Sequence, residues 1–503
     1  MIARRTVLLL SLATWGCSRP ESEPAAPMPP AVELTDVDNA AHGYVAPKKV
    51  RTYPSTRQQV QVWIDAGDTK AIRAHAWDIW QSITAATSDG GPTWQTWYSG
   101  HEVFADGASP TPTARVRNVV LPLERPRQGK HDLRVARLAL TGTTIPVDTF
   151  ERVFAFNRFT LPTAQYIWNK RLNDSRVLGD TLVKLQRANT PLASLAILTS
   201  TDSVDVGSFV TKCVFQFISK DSITAIPYWA GNGSRYSTDS LHPPPRMWRQ
   251  AVAVDPSGRL QAGDSVFKAF NGQPAQWLKI VPLSAFYSRV VTKDDSANLT
   301  RFGAENGDDL GFNSDTSMAA VLAAARPGNY ALLMAMHVTG KEIANWTWQT
   351  YWWAHDPADP LTGADRPASI PAPWNHYNMT VAYSMLTKSG QPLVAFNPYL
   401  ETSLSGYVPV GSFRDSLFWT GVSSNCMSCH RRAAVAYVNY PPHGTVTYNT
   451  SYGPAAFVSA GDSLVFVPRT GPTGRVTTLK TDFLWSVAIR AHRFPPRMAL
   501  PPP

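Results

Sequence analysis

The sequence predicts an α+β fold, in which a β-rich N-terminal body is followed by a mainly helical and irregular C-terminal segment. Runs rich in β-branched and aromatic residues are separated by Gly, Pro, Asn and Asp, a pattern typical of strands joined by turns. Helical periodicity is confined to a few stretches, and no strand–helix–strand rhythm indicates a doubly wound sheet. The 503 residues, of which 44% are hydrophobic and 17 are Trp, are enough for two or more domains with full cores.

The start of the chain has the features of an export signal, predicted over residues 1–17. Arg4 and Arg5 precede the short apolar run Val7–Ala13, which is too short to span a membrane as a stable helix. Two fates remain open for Cys17. It is removed with the signal, or lipoprotein-type cleavage exposes it for acylation and the lipid anchors the chain. Either way, the predicted location is the periplasm or another exported compartment.

Composition divides the rest of the chain into three segments. Residues 18–45 are rich in Pro, Glu and Ala without periodicity, which predicts a disordered tether. Residues 46–387 form the predicted β-rich aromatic body, and residues 388–503 form the C-terminal segment.

Four stretches have helical periodicity. Asp68 is placed to cap the first, Asn173 and Asp174 interrupt the second, and Pro327-Gly328 ends the third. The predicted helices are Lys70–Thr84, Thr163–Gln186, Thr316–Arg326 and Thr481–Arg493.

Six runs have strand character. They combine β-branched and aromatic residues and end at turn-forming residues. The predicted strands are Phe209–Ile218, Trp248–Val254, Trp277–Val281, Tyr330–Val338, Trp346–Trp353 and Thr380–Leu386.

A short repeat links Thr93–Tyr98 with Thr347–Trp352, since both begin Thr-Trp-Gln-Thr. If both are strands, Trp346, Trp348 and Trp352 share one face. Two interpretations are open: an aromatic wall for a ligand or for the haem edge, or ordinary core packing in which the indole N–H groups find partners.

The C-terminal segment contains Cys426-Met427-Ser428-Cys429-His430, the C-x-x-C-H signature for covalent attachment of c-type haem. The two thiols form thioethers with the two porphyrin vinyl groups, and the adjacent imidazole supplies the proximal bond to iron. With 4 cysteines and 11 histidines in the chain, chance occurrence is on the order of one in a thousand. We therefore predict one covalent haem c, bound through Cys426, Cys429 and His430.

Competing uses of the two thiols fit less well. A zinc site requires further ligands that no second Cys pair supplies. A thioredoxin-like redox site requires a βαβ context, which the sequence does not suggest. Cys213 lies in an apolar strand-like run and is predicted to be buried and inert.

The haem iron needs a sixth ligand or an open position, and the sequence leaves this choice open. Met498, within a Pro-containing stretch near the C-terminus, is the first candidate for the distal ligand. The other candidates are His492, His443, His337, His355, His376 and Met379.

Cys426 to His430 resembles the haem site of bacterial c-type cytochromes, and the wider chain resembles a group of exported single-haem proteins. The segments that carry the wider resemblance are Asn397–Thr402, Asn425–Ala433, Thr481–Trp485 and His337–Thr339 together with Trp346–Trp353. The resemblance implies a cytochrome c-like C-terminal haem segment that forms one unit with the body. It implies no particular reaction.

Three functions follow from a single exported haem. The first is electron transfer, with a redox partner protein that a net charge of +10 predicts to be acidic. The second is a haem-dependent oxidoreductase whose large body binds the substrate, and the third is a binding or sensing module. No dense basic block is present, so a nucleic acid is not an expected partner.

Overall fold

A computed structural model describes residues 43–104, 153–181, 207–230, 248–306, 322–400, 425–448 and 478–487, with short gaps inside several of these ranges. The predicted export signal, Cys17, most of the predicted tether, His492 and Met498 lie outside the described residues. All the described residues belong to one compact unit.

Six α-helices have defined bounds within the described residues. The first two follow each other closely: Thr56 caps α1 through a bond from Gln59 N, and Asp68 caps α2 through a bond from Ala71 N. The helices are α1 (Arg57–Ala66), α2 (Thr69–Thr84), α3 (Gly100–Phe104), α4 (Leu161–Asn169), α5 (Lys293–Asn306) and α6 (Cys426–His430).

A seven-stranded antiparallel sheet forms the centre of the body. Its order is β1-β2-β3-β9-β10-β11, and β8 also pairs with β9. Its strands are β1 (Tyr98–Ser99), β2 (Val153–Phe159), β3 (Phe209–Ile218), β8 (Ser288–Val290), β9 (Tyr330–Gly340), β10 (Thr347–Trp353) and β11 (Tyr377–Ala382).

Smaller sheets accompany the central one. Two are two-stranded, and the third joins three strands of the C-terminal segment in the order β13-β12-β14. The two-stranded pairs are β4 (Thr224–Pro227) with β5 (Ala251–Val254) and β6 (Ser265–Phe270) with β7 (Gln273–Lys279); the C-terminal strands are β12 (Ala434–Tyr440), β13 (His443–Tyr448) and β14 (Thr478–Lys480).

Helix α2 packs its aromatic side against one face of the central sheet. The Trp80 ring stacks on Tyr351 of β10 at 4.2 Å and lies 5.3 Å from Tyr377 of β11. Because strand residues alternate between faces, Trp348, Thr350 and Trp352 project from the opposite face. One face of β10 therefore packs against α2, and the residues on its other face are directed away from α2.

The prediction of a mixed α and β chain with a β-rich body is confirmed, since the body is built around a mainly antiparallel sheet. Helix α2 and strand β3 match their predicted bounds within one residue. Strands β9, β10 and β11 lie where strands are predicted, with ends shifted by a few residues. Cys213 is buried as predicted, and burial raises the pKa of its thiol to about 12.

Two of the predicted helices differ from the structure. Helix α4 ends at Asn169, and Arg171 then adopts a left-handed φ of 53°, so no continuous helix covers Thr163–Gln186. Residues 481–484 form a turn rather than a helix, and Ser486 and Val487 are helical. The Thr93 copy of the repeat is a 3-10 helix, whereas the Thr347 copy is strand β10.

Replacing Trp80 with Ala should destabilise the fold by about 3–5 kcal/mol, because it removes a fully buried ring that stacks on the sheet. Denaturant unfolding measures this free energy. Trp277, which is 71% exposed on β7, is the matched control, and its Ala variant should lose less than about 1 kcal/mol. Equal losses at the two positions would contradict the packing described here.

Candidate haem attachment site

The attachment motif forms the short helix α6, Cys426–His430. Since successive helical residues advance by about 100°, positions 426, 429 and 430 fall within an arc of about 100° on one side. Met427 lies outside this arc and is completely buried in the main core, whereas Cys426 and His430 are half-buried. The helix is therefore anchored through Met427, and Cys426 and His430 are partly accessible.

Asn425, directly before α6, fixes the start of the helix to the body. Its Nδ2 donates to the carbonyl of Leu393 at 2.8 Å and also approaches the carbonyls of Ser384 at 3.2 Å and Met385 at 3.4 Å. Asn425 is buried, so these bonds satisfy an amide that has little access to solvent.

His430, the predicted proximal ligand, is held by two aromatic neighbours. Its ring lies 4.4 Å from the ring of Trp348 on the face of β10 opposite α2, and its Nδ1 lies 2.8 Å from the carbonyl oxygen of Phe483. A carbonyl oxygen can only accept, so Nδ1 carries the hydrogen. In the neutral imidazole, Nε2 then keeps its lone pair, which is the form that binds a metal.

The carbonyl that accepts from His430 belongs to an unusual turn. Leu484 N donates to Thr481 O at 2.9 Å, and the two central residues, Asp482 and Phe483, have φ of 46° and 67°. Asp tolerates a left-handed backbone, but for a bulky residue such as Phe it is strained. Strain of this kind is kept only where surrounding contacts enforce it.

A buried ion pair supplies such a contact. Lys341, in the connection between β9 and β10, donates through Nζ to Asp482 Oδ2 at 2.6 Å and to Ala344 O at 2.8 Å. Trp346 Nε1 donates to the same carboxylate oxygen at 3.2 Å, and the Lys341 ammonium lies 5.2 Å from the Trp346 ring. Burial lowers the pKa of Lys341, and Asp482 partly opposes this shift.

The next residue of the same connection faces a second buried polar group. Glu342 Oε1 lies 3.2 Å from His75 Nε2 of α2, within ion-pair distance but without the geometry of a hydrogen bond. The other carboxylate oxygen, Oε2, accepts a hydrogen bond from Thr347 Oγ1 at 3.1 Å. His75 Nδ1 is hydrogen-bonded to Tyr383 OH at 2.7 Å. Burial raises the pKa of Tyr383 well above its usual value, which keeps its hydroxyl protonated.

Sequence reasoning identified the attachment motif but missed these supporting residues. Lys341 and Glu342 precede His430 by almost ninety positions along the chain. No spacing rule connects them with the motif. A Lys-Glu pair next to a predicted strand reads as an exposed turn, so the sequence offered no signal for their burial.

The candidate distal ligands lie at different places in the fold. His337 of β9 pairs with Thr350 of β10, so it shares the sheet face of Trp348, and it is half-buried. Met379 pairs with Tyr351 and is completely buried on the opposite face. Among the four body candidates, all of which the structure describes, His337 is the one on the same face as Trp348.

The remaining histidines lie farther from His430. His355 and His376 are at the Trp353–Tyr377 end of the β10–β11 pair, about 20 Å along the strands from Trp348. Burial lowers the pKa of both imidazoles. His443 pairs with Tyr440 at the end of β12 farthest from α6.

Within the described ranges, no group of three or more His, Cys, Asp or Glu side chains is arranged to bind a metal ion. No helix among the described residues is both long and apolar enough to cross a bilayer. Comparison of the chain with protein-family models, with curated proteins and with solved structures finds no match.

Replacing Asn425 with Asp should loosen α6 more than replacing it with Ala. The carboxylate would face three carbonyl oxygens without a hydrogen to donate, whereas Ala only leaves the carbonyls unpaired, at about 1–3 kcal/mol. Hydrogen exchange of peptides covering residues 425–430 measures the local opening. Equal protection in the Asp and Ala variants would contradict the donor role of Asn425.

Proposed function

We propose that the protein is an exported, periplasmic c-type cytochrome that carries one covalent haem and transfers electrons. Cys426 and Cys429 would hold the porphyrin, and His430 would bind the iron on the proximal side. The iron would supply one-electron chemistry by alternating between its ferrous and ferric states. In this proposal, residues 388–503 are a cytochrome c-like haem segment on a β-rich body.

The observation that carries the proposal is the arrangement around His430. The bond from Nδ1 to Phe483 O leaves Nε2 as the metal-binding nitrogen. Positions 426, 429 and 430 share one side of α6, and Cys426 and His430 are partly accessible. A haem approaching that side would meet the residues that attachment requires, without unfolding the core around Met427.

Electron transfer is favoured over substrate oxidation because several tryptophan rings of the body are buried in its core. Trp346, Trp352 and Trp353 are completely or almost completely buried, and Trp353 Nε1 donates to Ala285 O at 3.0 Å. These rings form core rather than a ligand-binding wall, and Trp348, the remaining member of the predicted wall, contacts the His430 ring. The proposed partner is an acidic redox protein attracted by the net positive charge.

Export of the full chain with the bacterial haem-attachment machinery should yield protein carrying one covalent haem. In the double variant Cys426→Ser/Cys429→Ser no haem should remain after denaturation in acid acetone, because no thioether can form. Mass spectrometry and the pyridine haemochrome spectrum measure attachment. Cys213→Ser is the matched control and should keep full loading, because Cys213 is buried in β3.

The two single variants, Cys426→Ser and Cys429→Ser, should each shift the haemochrome band as one thioether is lost. Wild-type protein that is exported and folded but carries no covalent haem would refute the proposed function.

Distal ligation is the next property to test. His337 and Trp348 are diagonal neighbours on β9 and β10, about 7–8 Å apart between Cα atoms. This places His337 closest to His430 among the described candidates, while Met498 stays a prediction. We expect His337→Ala to convert the haem from low-spin to high-spin, as seen in the optical and magnetic spectra.

His355→Ala is the matched control, since it removes the same side chain at the far end of β10, and its spectrum should equal that of the wild type. A low-spin His337→Ala protein, combined with loss of the sulfur-to-iron charge-transfer band in Met498→Ala, would assign Met498 instead.

A further inference from the structure

The turn that binds His430 is secured by contacts from outside its own segment. Asp482 receives two donors from the β9–β10 connection, Lys341 Nζ and Trp346 Nε1, on the same oxygen. The side chains of Lys341 and Asp482 are 7% and 1% exposed, so water competes little for either charge. The bond is therefore a strong, charge-assisted one.

The β9–β10 connection also contains a left-handed residue that bonds to Asp482. Trp346 has φ of 62° and donates from its ring to Asp482, while Ala344 O accepts a second bond from Lys341. Gly340, at the start of the connection, leaves the space that the Phe209 ring occupies. Two strained loops thus meet at one ion pair.

The left-handed backbone at Asp482 and Phe483 determines where the Phe483 carbonyl points. If Phe483 relaxed to the right-handed region that bulky residues prefer, its peptide plane would rotate and the carbonyl would turn away from His430 Nδ1. The ion pair acts one residue before this carbonyl, at the other central position of the turn.

We propose that Lys341 and Asp482 are positioning residues for the haem iron, which hold the Phe483 carbonyl on His430 and thereby lower the midpoint potential. A firm bond from Nδ1–H makes the imidazole a stronger electron donor at Nε2. A stronger donor favours ferric over ferrous iron. This inference rests on the proposed haem function.

The double variant Lys341→Met/Asp482→Asn tests the inference in the haem-loaded, full-length protein. It removes the ion pair but leaves the net charge unchanged, so a purely electrostatic effect on the iron nearly cancels. We expect a higher midpoint potential by spectroelectrochemical titration, because the Phe483 carbonyl is no longer held. A wild-type potential in the loaded double variant would overturn the proposal.

The two single variants separate the positioning effect from the effect of charge. Loss of positioning raises the potential in both Lys341→Met and Asp482→Asn. Charge alone raises it in Asp482→Asn but lowers it in Lys341→Met, since the latter removes a cation. A lowered or unchanged potential in Lys341→Met would overturn the proposal.

Arg57→Met is the matched control for charge. Arg57 is an exposed cation whose charge lowers the pKa of Lys341. Its loss should lower the midpoint potential slightly or leave it unchanged. Haem content of the wild type is measured first. Absence of covalent haem there refutes the proposed function, whereas normal loading with an unmoved potential refutes the positioning role alone.

Discussion

The connection between β9 and β10 is the constraint on which the candidate site depends, because it buries two opposite charges side by side. Lys341 binds Asp482 in the C-terminal segment, and Glu342 contacts His75 on α2. Removing one partner of a buried ion pair typically costs about 3–5 kcal/mol, since the other charge is left without compensation. The connection therefore fixes the C-terminal turn and the N-terminal helix to the same point of the sheet.

The two faces of β10 contact different elements of the fold. Tyr351 packs against Trp80 of α2 and belongs to the core, whereas Trp348 projects from the other face and contacts His430 and Phe483. Strand alternation alone produces this division. The register of β10 is consequently tied to the site, because a shift by one residue would exchange the two faces.

Much of the body could be predicted from the sequence, because its central elements carry strong local signals. Helix α2 has a capping Asp and a regular apolar face, and β3 is a long β-branched run. Short or polar elements such as β1 and β8 were missed, since pairing with longer strands stabilises them rather than their own composition. The C-x-x-C-H motif can be recognised from five consecutive residues, and covalent haem attachment there stays a prediction. Its supports cannot be recognised in this way, because positive φ at Trp346, Asp482 and Phe483 arises from long-range contacts.

The repeated Thr-Trp-Gln-Thr sequence shows how far context decides conformation here. At Thr93 it forms a 3-10 helix and at Thr347 a strand, yet both copies bury their first tryptophan. Burial of the indole is common to both, so hydrophobic packing rather than backbone propensity determines each conformation.

Only the second copy lies against helix α6. In the proposed cytochrome, the large aromatic body would act as a rigid frame that holds the turn bonded to His430. A short haem segment without such a frame would need its own core to do the same.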